Sequence, residues 1–419
     1  MKKIIFLFTI LVISIICNAQ DYYKITGKVV DSHTKSALPY STVYLSGNKY
    51  CGTVSNETGG FILKIPKNIK ANSLKISFLG YKTTSVSLGN LNEDKDLNTI
   101  ELQESTVLLK EVIVTAITPE ELIETAIQKI VENYDIKPIM LNGFYREIQQ
   151  YTRIGYKAKE DTGGTFKKNE AVFDIYRSPY KGKKEKDDDY LTLIAWRRIG
   201  EIKDTSEEDN LQSKGPNSIL NDDPLKDIKS SFLWKKHRKK YKFKLKDITT
   251  YDNNKVYVIE FDQADNVKEQ LYKGTIYIDI ASMAFVGIDY MLSPKGAKYN
   301  SSRNFLFVEW KYYQKSKKIL YKKYNDKWNI YFIQSNEKYD ETVYKTYLTK
   351  SLFIKNYPDK ESITNRWNMN YQFVITGVEK SNIVKFSDNE LFNSSTELKG
   401  EKNKDREDIW GKYNFIKMP

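Results

Sequence analysis

Two histidines and two cysteines supply all the imidazole and thiol chemistry in 419 residues. Zinc hydrolysis needs several His or carboxylate ligands around one open coordination position. His33 is followed by Thr34-Lys35-Ser36 and His237 by Arg238-Lys239-Lys240, so neither begins a His-x-x-Glu ligand pair. Serine hydrolysis needs a nucleophile elbow and a base, yet no Gly-x-Ser-x-Gly occurs and only those two histidines are on offer. Neither a phosphate-cradling Gly-rich loop nor a dinucleotide fingerprint is present. Cys51 lies in a predicted strand, where a buried, inert thiol is the common state. Asp187-Asp188-Asp189 has the charge for a hydrated cation, but the lysines just before it read as a solvated loop. Acidic residues are plentiful, which leaves a glycosidase-type carboxylate pair open. The expectation is a chain without cofactor or metal that recognises rather than transforms.

The first residues point to export. Lys2 and Lys3 form a basic start, residues 4–16 an apolar run, and Cys17-Asn18-Ala19 offers small residues for cleavage after Ala19. Lipidation of Cys17 is the rival, disfavoured by Ile16 where a small residue is wanted. The apolar run falls short of the roughly 20 residues of a membrane-spanning helix, and no later segment is long enough either. Cleavage leaves Cys51 alone, so the mature core holds without an internal disulfide. The formal charge of +13 becomes 13 − 2 = +11 once Lys2 and Lys3 are removed. In a cytoplasmic chain that balance would suggest nucleic acid; for an exported one it fits acidic glycans, lipid phosphates or no specific partner. The densest basic run, residues 235–246, alternates Tyr241, Phe243 and Leu245 with lysines and reads as a strand with one wet face.

The elements expected to position any site are mostly strands. Between residues 21 and 103, seven short runs rich in β-branched and aromatic residues (24–31, 40–45, 52–55, 61–65, 74–78, 83–88 and 99–102) predict a seven-stranded antiparallel sandwich. Asn56-Glu57-Thr58-Gly59-Gly60 is its strongest turn, and Gly80 marks a bulge or tight bend. The segments Thr26-Gly27-Lys28-Val29-Val30-Asp31, Leu38-Pro39-Tyr40-Ser41-Thr42-Val43-Tyr44-Leu45, Gly52-Thr53-Val54-Ser55-Asn56-Glu57-Thr58-Gly59-Gly60-Phe61 and Ile76-Ser77-Phe78-Leu79-Gly80-Tyr81-Lys82 resemble, in that order, the carboxypeptidase regulatory-like domain. The resemblance implies a transthyretin-like sandwich of the kind that begins exported outer-membrane proteins, TonB-dependent receptors among them. It implies no activity.

Residues 104–118 read as a linker. Within it, Glu111, Val112, Ile113, Val114 and Thr115 resemble the TonB-box segment of those receptors and are the candidate partner-binding strand. The alternative is that Val112 and Val114 simply extend the sandwich. The likeness to receptors is expected to stop there, because too few residues follow for a plug and a barrel. Thr118-Pro119-Glu120-Glu121 opens an amphipathic helix over 119–133 with a capping box.

From 134 to 419 long aromatic strands are expected (144–153, 171–176, 190–197, 256–261, 275–280, 285–291, 305–313, 328–334 and 342–354), forming one large antiparallel sheet, curved or a half-barrel. Charges recur too often in 235–246, 311–323 and 336–345 for a lipid-facing barrel. Residues 200–230 read as a polar excursion over the surface, and Trp410, Tyr413, Phe415 and Ile416 as a last anchoring contact. Helix and strands together resemble uncharacterised exported proteins that couple this sandwich to a β-rich part. Lys273-Gly274-Thr275-Ile276-Tyr277-Ile278-Asp279 faintly resembles periplasmic lipoprotein carriers, which would make the sheet's concave face an apolar groove for an acyl chain. The fold class is mainly β. The expected role is a noncatalytic cell-envelope protein, periplasmic or at the outer membrane, that binds a partner protein, glycan or lipid. A carboxylate-dependent glycan enzyme and a lipid carrier are the alternatives.

Overall fold

A computed structural model describes residues 22–91, 98–105, 117–154, 165–182, 187–199, 215–305, 308–344, 362–381, 383–392 and 414–417. Seven strands come first: β1 (Tyr22–Asp31), β2 (Thr42–Leu45), β3 (Asn48–Val54), β4 (Gly60–Pro66), β5 (Ser73–Ser77), β6 (Thr84–Ser87) and β7 (Asn98–Leu102). They form two sheets, ordered β4-β1-β7 and β3-β2-β5-β6. Between them Val29, Phe61, Val43, Leu74 and Ile76 are sealed from water. One pairing departs from the antiparallel expectation. The strand β7 returns from the other sheet and runs parallel to β1. Gly59 (φ +78°) and Gly80 (φ +90°) occupy the left-handed region where glycine carries no Cβ penalty. At Gly59 the Asn56 side chain closes the turn, its Oδ1 accepting from the Thr58 and Gly60 amides (3.0 and 2.7 Å).

The predicted helix is two pieces, α1 (Pro119–Gln128) and α2 (Ile130–Asn133), which meet at Lys129. Its start is as expected: the Glu121 amide donates to the Thr118 hydroxyl (3.2 Å), and the Thr118 amide to the Glu121 carboxylate (2.7 Å). Leu122, Ile123, Ala126, Ile127 and Ile130 face inward.

The remaining elements are β8 (Ile139–Ile154), β9 (Thr165–Arg177), β10 (Tyr190–Ile199), α3 (Pro216–Asn221), α4 (Lys235–Arg238), β11 (Tyr241–Tyr251), β12 (Asn254–Gln263), β13 (Tyr272–Asp279), β14 (Phe285–Leu292), β15 (Arg303–Phe305), β16 (Val308–Tyr324), β17 (Lys327–Tyr344) and β18 (Ser362–Glu379). Their strands make one 11-stranded antiparallel sheet, β10-β9-β8-β18-β17-β16-β14-β13-β12-β11, with β15 beside β16. The path stays open, with β10 and β11 at its edges. Tyr134, just after α2, touches Tyr180 beyond β9 and Tyr321 of β16 and donates its hydroxyl to the Phe285 carbonyl of β14. Strands far apart in the sheet order thus converge on one side chain, as in a sheet that curls around its filling.

Period two sorts the central strands between two cores. Tyr145, Ile333 and Phe373 face the inner core, with α1, Ile219, Leu220, Leu225 and Phe232; their neighbours Phe144, Phe332 and Val374 face the sandwich. There Tyr40 stacks on Phe332 (5.1 Å between ring centres) and accepts from Gln334 (2.6 Å). The Tyr331 hydroxyl donates to the Thr53 carbonyl (2.8 Å), and Lys322 lies over the Tyr44 ring. Main chain joins the two parts as well, from the Gly80 amide to the Thr250 carbonyl (2.9 Å). Residues 414–417 fill the seam: Asn414 bonds the Lys64 main chain, Ile416 is fully buried, and its carbonyl accepts from Arg146. That anchor was expected for Phe415 and Ile416; Trp410 and Tyr413 lie outside the described residues.

Several expectations need correcting. The excursion over 200–230 is not a surface segment from 215 onward. Pro216, Ile219, Leu220, Asp223, Leu225 and Lys226 are all buried there, while 200–214 lie outside the described residues. Those apolar side chains, although widely spaced, cover the inner face of the sheet. The strand expected at 305–313 is split between β15 and the start of β16. Of 342–354, residues 342–344 merely end β17 and 345–354 lie outside the described residues. Residues 235–238 are helical, so the wet strand begins at Tyr241. Strand β18 was not anticipated at all. Among the described residues no helix is long and apolar enough to cross a membrane.

Candidate functional site

The charged side chains least expected from the sequence sit beneath the sheet's inner face. Arg177 ends β9 and reaches both Asp189 and Asp223, the latter at 2.6 Å. Asp223 also accepts from the hydroxyls of Tyr180 (2.9 Å) and Tyr321 (2.6 Å), and Lys226 pairs with Asp189. None of the four charged groups is more than 3% exposed. Burial alone would raise the Asp189 carboxyl, yet Arg177 and Lys226 hold it below the usual range. Burial, then the neighbouring Arg177, brings Lys226 down to about 8. Burial likewise brings Lys317 down to about 8, although its ammonium reaches Asp222 (3.3 Å) and the Asp222 carbonyl (3.1 Å). With its charges answered by neighbours, the cluster ties Ser178, Tyr180, Asp189, Asp223 and Lys226 to β9 and β16. Asp189 is therefore no part of a solvated loop, contrary to the sequence expectation.

Three carboxylates share the inner face of the central strands. Glu147 is fully buried and accepts from Tyr145 (2.8 Å), Asn169 (3.2 Å) and Gln149; burial raises its pKa despite these bonds. Glu337 is 2% exposed. Glu341 takes one indole N–H on each oxygen, from Trp310 and Trp367 (both 3.1 Å), within an aromatic row of Tyr151, Tyr312, Tyr339 and Trp367. Glu147 and Glu341 are committed to side chains of their own sheet.

Open space lies instead over β11–β14, in a hollow of about 460 Å³ lined by Lys242, Glu260, Lys273 and Asp289 among others, and at the end of β13, β14 and β16. At that end a cleft of about 360 Å³ is lined by Lys268, Tyr272, Tyr299, Arg303, Tyr312 and Lys315, among others. A smaller hollow of about 190 Å³ shares Tyr272 and Lys315 with it and is floored by Phe232 and Tyr290. The expected apolar groove for an acyl chain is not what the sheet offers: Ile219, Leu220, Leu225 and Phe232 of this same chain fill its inner side.

The sequence candidates fare unevenly. Glu111, Val112, Ile113, Val114 and Thr115 lie outside the described residues, as do residues 1–21 with the signal segment and Cys17. His33 follows β1 in the sandwich, whereas His237 lies in α4, its ring bonding the Ser231 carbonyl (2.9 Å). Cys51 is buried and its thiol pushed up to about 11 by burial, an unreactive state. Half of the basic run is neutralised, since Arg238, Lys240, Lys242 and Lys246 pair with Glu124, Glu269, Asp265 and Glu260. Among the described residues no group of three or more His, Cys, Asp or Glu could hold a metal. Sequence reasoning missed the ionic cluster and the cleft. The available signal was Leu220, Leu225, Ile228, Phe232 and Leu233, too many large apolar residues for a free excursion.

No curated protein matches this chain. Among solved structures, a DUF1329 family protein from Desulfovibrio piger is similar at 10% identity and a TM-score of 0.22, covering 64% of this chain and 93% of that one. MucB in complex with MucA(peri) is similar at 7% identity and a TM-score of 0.20, covering 61% and 94%. Likeness this slight carries no argument about fold or role. The N-terminal sandwich is the part with a recognisable kinship: residues 25–114 match the family model of the CarboxypepD_reg-like domain.

Proposed function

We propose that this chain is a noncatalytic, exported protein of the cell envelope, periplasmic or held at the outer membrane, that works by binding. The regulatory-like module at residues 25–114 supports the location, because such sandwiches begin exported envelope proteins. The observation that carries the binding role is the filled sheet. Its two faces are occupied by the sandwich and by residues 119–133 and 215–233, which leaves a rigid scaffold with an open, tyrosine-lined cleft at one end. In this reading the sandwich docks and braces the sheet, and the cleft meets the ligand. Residues 111–115 remain a candidate second contact, for a protein partner that adds a strand.

The test is cosedimentation of the purified mature chain with outer-membrane and peptidoglycan fragments, followed by mass analysis of the fragments. The chain is expected in the pellet with fragment masses unchanged. A chain that stays in the supernatant overturns the binding reading, and shortened fragments overturn its noncatalytic character.

A further inference from the structure

The cleft at the end of β13, β14 and β16 gathers cations around one concave space. Lys240, Lys242, Lys246 and Lys318 each have a carboxylate within 3.2 Å. By contrast Lys268, Arg303 and Lys315, which line the cleft, pair with no carboxylate among the described residues. The one acid in the lining, Glu269, already has both oxygens on Lys240 (2.7 and 2.8 Å). Three cations thus converge on a concave space without a counter-charge. Such walls concentrate potential and favour an anion.

The rest of the lining narrows the anion's chemistry. Tyr272, Tyr299 and Tyr312 give the cleft ring faces, which pack against the C–H faces of a sugar ring, while their hydroxyl edges suit a partner that is itself rich in hydroxyls. The forked Arg303 matches a carboxylate or phosphate oxygen pair. An acyl chain has no comparable berth, because the adjoining inner face is packed with Leu220, Leu225 and Phe232. A volume of about 360 Å³ falls near the small end of ordinary ligand sites, enough for one or two sugar rings.

Resting on the binding reading above, we propose that this cleft takes an anionic saccharide unit, bearing carboxylate or phosphate, whether free or as the headgroup of a glycolipid. Lys315 is its central contact, being the half-buried cation that the cleft and its adjoining hollow share.

Calorimetric titration of the full mature chain with trigalacturonate and with maltotriose tests the proposal. Trigalacturonate is expected to bind at least about tenfold more tightly, to weaken as salt rises, and to lose about tenfold in affinity in Lys315→Gln and in Arg303→Gln. Urea midpoints of both variants should match the parent, so that misfolding cannot mimic the loss. Vesicles carrying a phosphorylated glycolipid form the second arm. If they bind the chain and trigalacturonate does not, the lipid-borne source is the right one; if only trigalacturonate binds, the free one is. Equal binding of the neutral sugar, unchanged affinity in both variants, or no binding to either probe overturns the proposal. In that last case cosedimentation with envelope fragments still stands or falls separately.

Discussion

The two faces of the large sheet are covered in different ways. Its outer face meets the sandwich mainly through aromatic stacking and neutral hydrogen bonds (Tyr40 on Phe332, Gln334 to Tyr40, Tyr331 to Thr53), and buries charge in the Arg146–Glu170 pair, which holds the 414–417 segment, and in Lys322 over Tyr44. Its inner face meets residues 215–228 through Arg177, Asp189, Asp223 and Lys226, a fully desolvated set of charges. An independently folded module brings its own core and needs only a complementary surface. A segment with little regular structure has no core of its own, and its buried backbone and loop groups need directional partners. Both buried ion sets hold an irregular segment, 215–228 through Arg177, Asp189 and Asp223 on the inner side and 414–417 through Arg146 and Glu170 on the outer, whereas the sandwich itself is met mainly by rings and neutral hydrogen bonds.

The sharpest way to break this contrast is Asp223→Asn. It removes one of the two charges that answer Arg177 and weakens the acceptor for Tyr180 and Tyr321. Breaking one partner of a buried ion pair costs about 3–5 kcal/mol, and urea unfolding of the variant should show a loss of that size. A loss under about 1 kcal/mol would mean that the cluster is better hydrated than its burial implies.

The pH profile is the next largest effect. Burial disfavours the charge of Lys226 and Lys317 and brings them down to about 8 in the folded chain from the ordinary lysine value of 10.5. As pH rises above about 8, the folded chain sheds these protons before the unfolded chain does. The unfolded state then binds more protons, and stability climbs toward pH 10.5, by up to about 3 kcal/mol per lysine. Buried Tyr134, Tyr180 and Tyr321 act the other way: burial holds their pKa well above 10, so above pH 10 only the unfolded chain ionises them and stability falls. A stability maximum between pH 8 and 10 is expected from urea midpoints, and Lys317→Met should flatten its rising side.

This contrast also explains what the sequence could reveal. All seven sandwich strands and most strands of the sheet were legible, because Ile276-Tyr277-Ile278 or Val256-Tyr257-Val258-Ile259 alternates between two environments. Strand β18 was not, since Asn365, Asn368, Asn370 and Gln372 dilute its pattern. Asn370 donates to Asn336 (2.5 Å), while the side-chain oxygens of Asn365, Asn370 and Gln372 are buried without a hydrogen-bond partner among the described residues. The ionic cluster was illegible for a different reason. Arg177, Asp189, Asp223 and Lys226 come from three separate stretches, and each looks like a solvent-facing charge until the fold brings them together. The cleft suffers likewise: Lys268, Arg303 and Lys315 are ordinary lysine and arginine in any local window, distinguished only by lining one concave space whose single acid is already paired.

On the outer side, Ile416→Ala probes the seam without touching a charge. The side chain is fully buried between Phe144, Val374 and the sandwich, so truncation removes apolar contact and leaves a cavity. The short segment at 414–417 is free to settle into part of that space, which places the expected loss near the low end for such truncations, about 2 kcal/mol. Differential scanning calorimetry should still show one transition. Two separated transitions would show that Ile416 couples sandwich and sheet, a stronger role than packing.

Lys242→Gln marks the bottom of the scale. Lys242 and Asp265 are 65% and 64% exposed and sit 2.6 Å apart, so water and salt screen the pair and two flexible side chains must be held still to form it. The change should cost no more than about 0.5 kcal/mol by urea unfolding, and still less in about 0.5 M salt. Together with Asp223→Asn it sets one carboxylate–cation contact in water against another beneath the sheet, at the same 2.6 Å. If the two variants lost similar stability, desolvation would not be what separates the inner face from the surface, and the ionic cluster would be no more than a surface network folded inward.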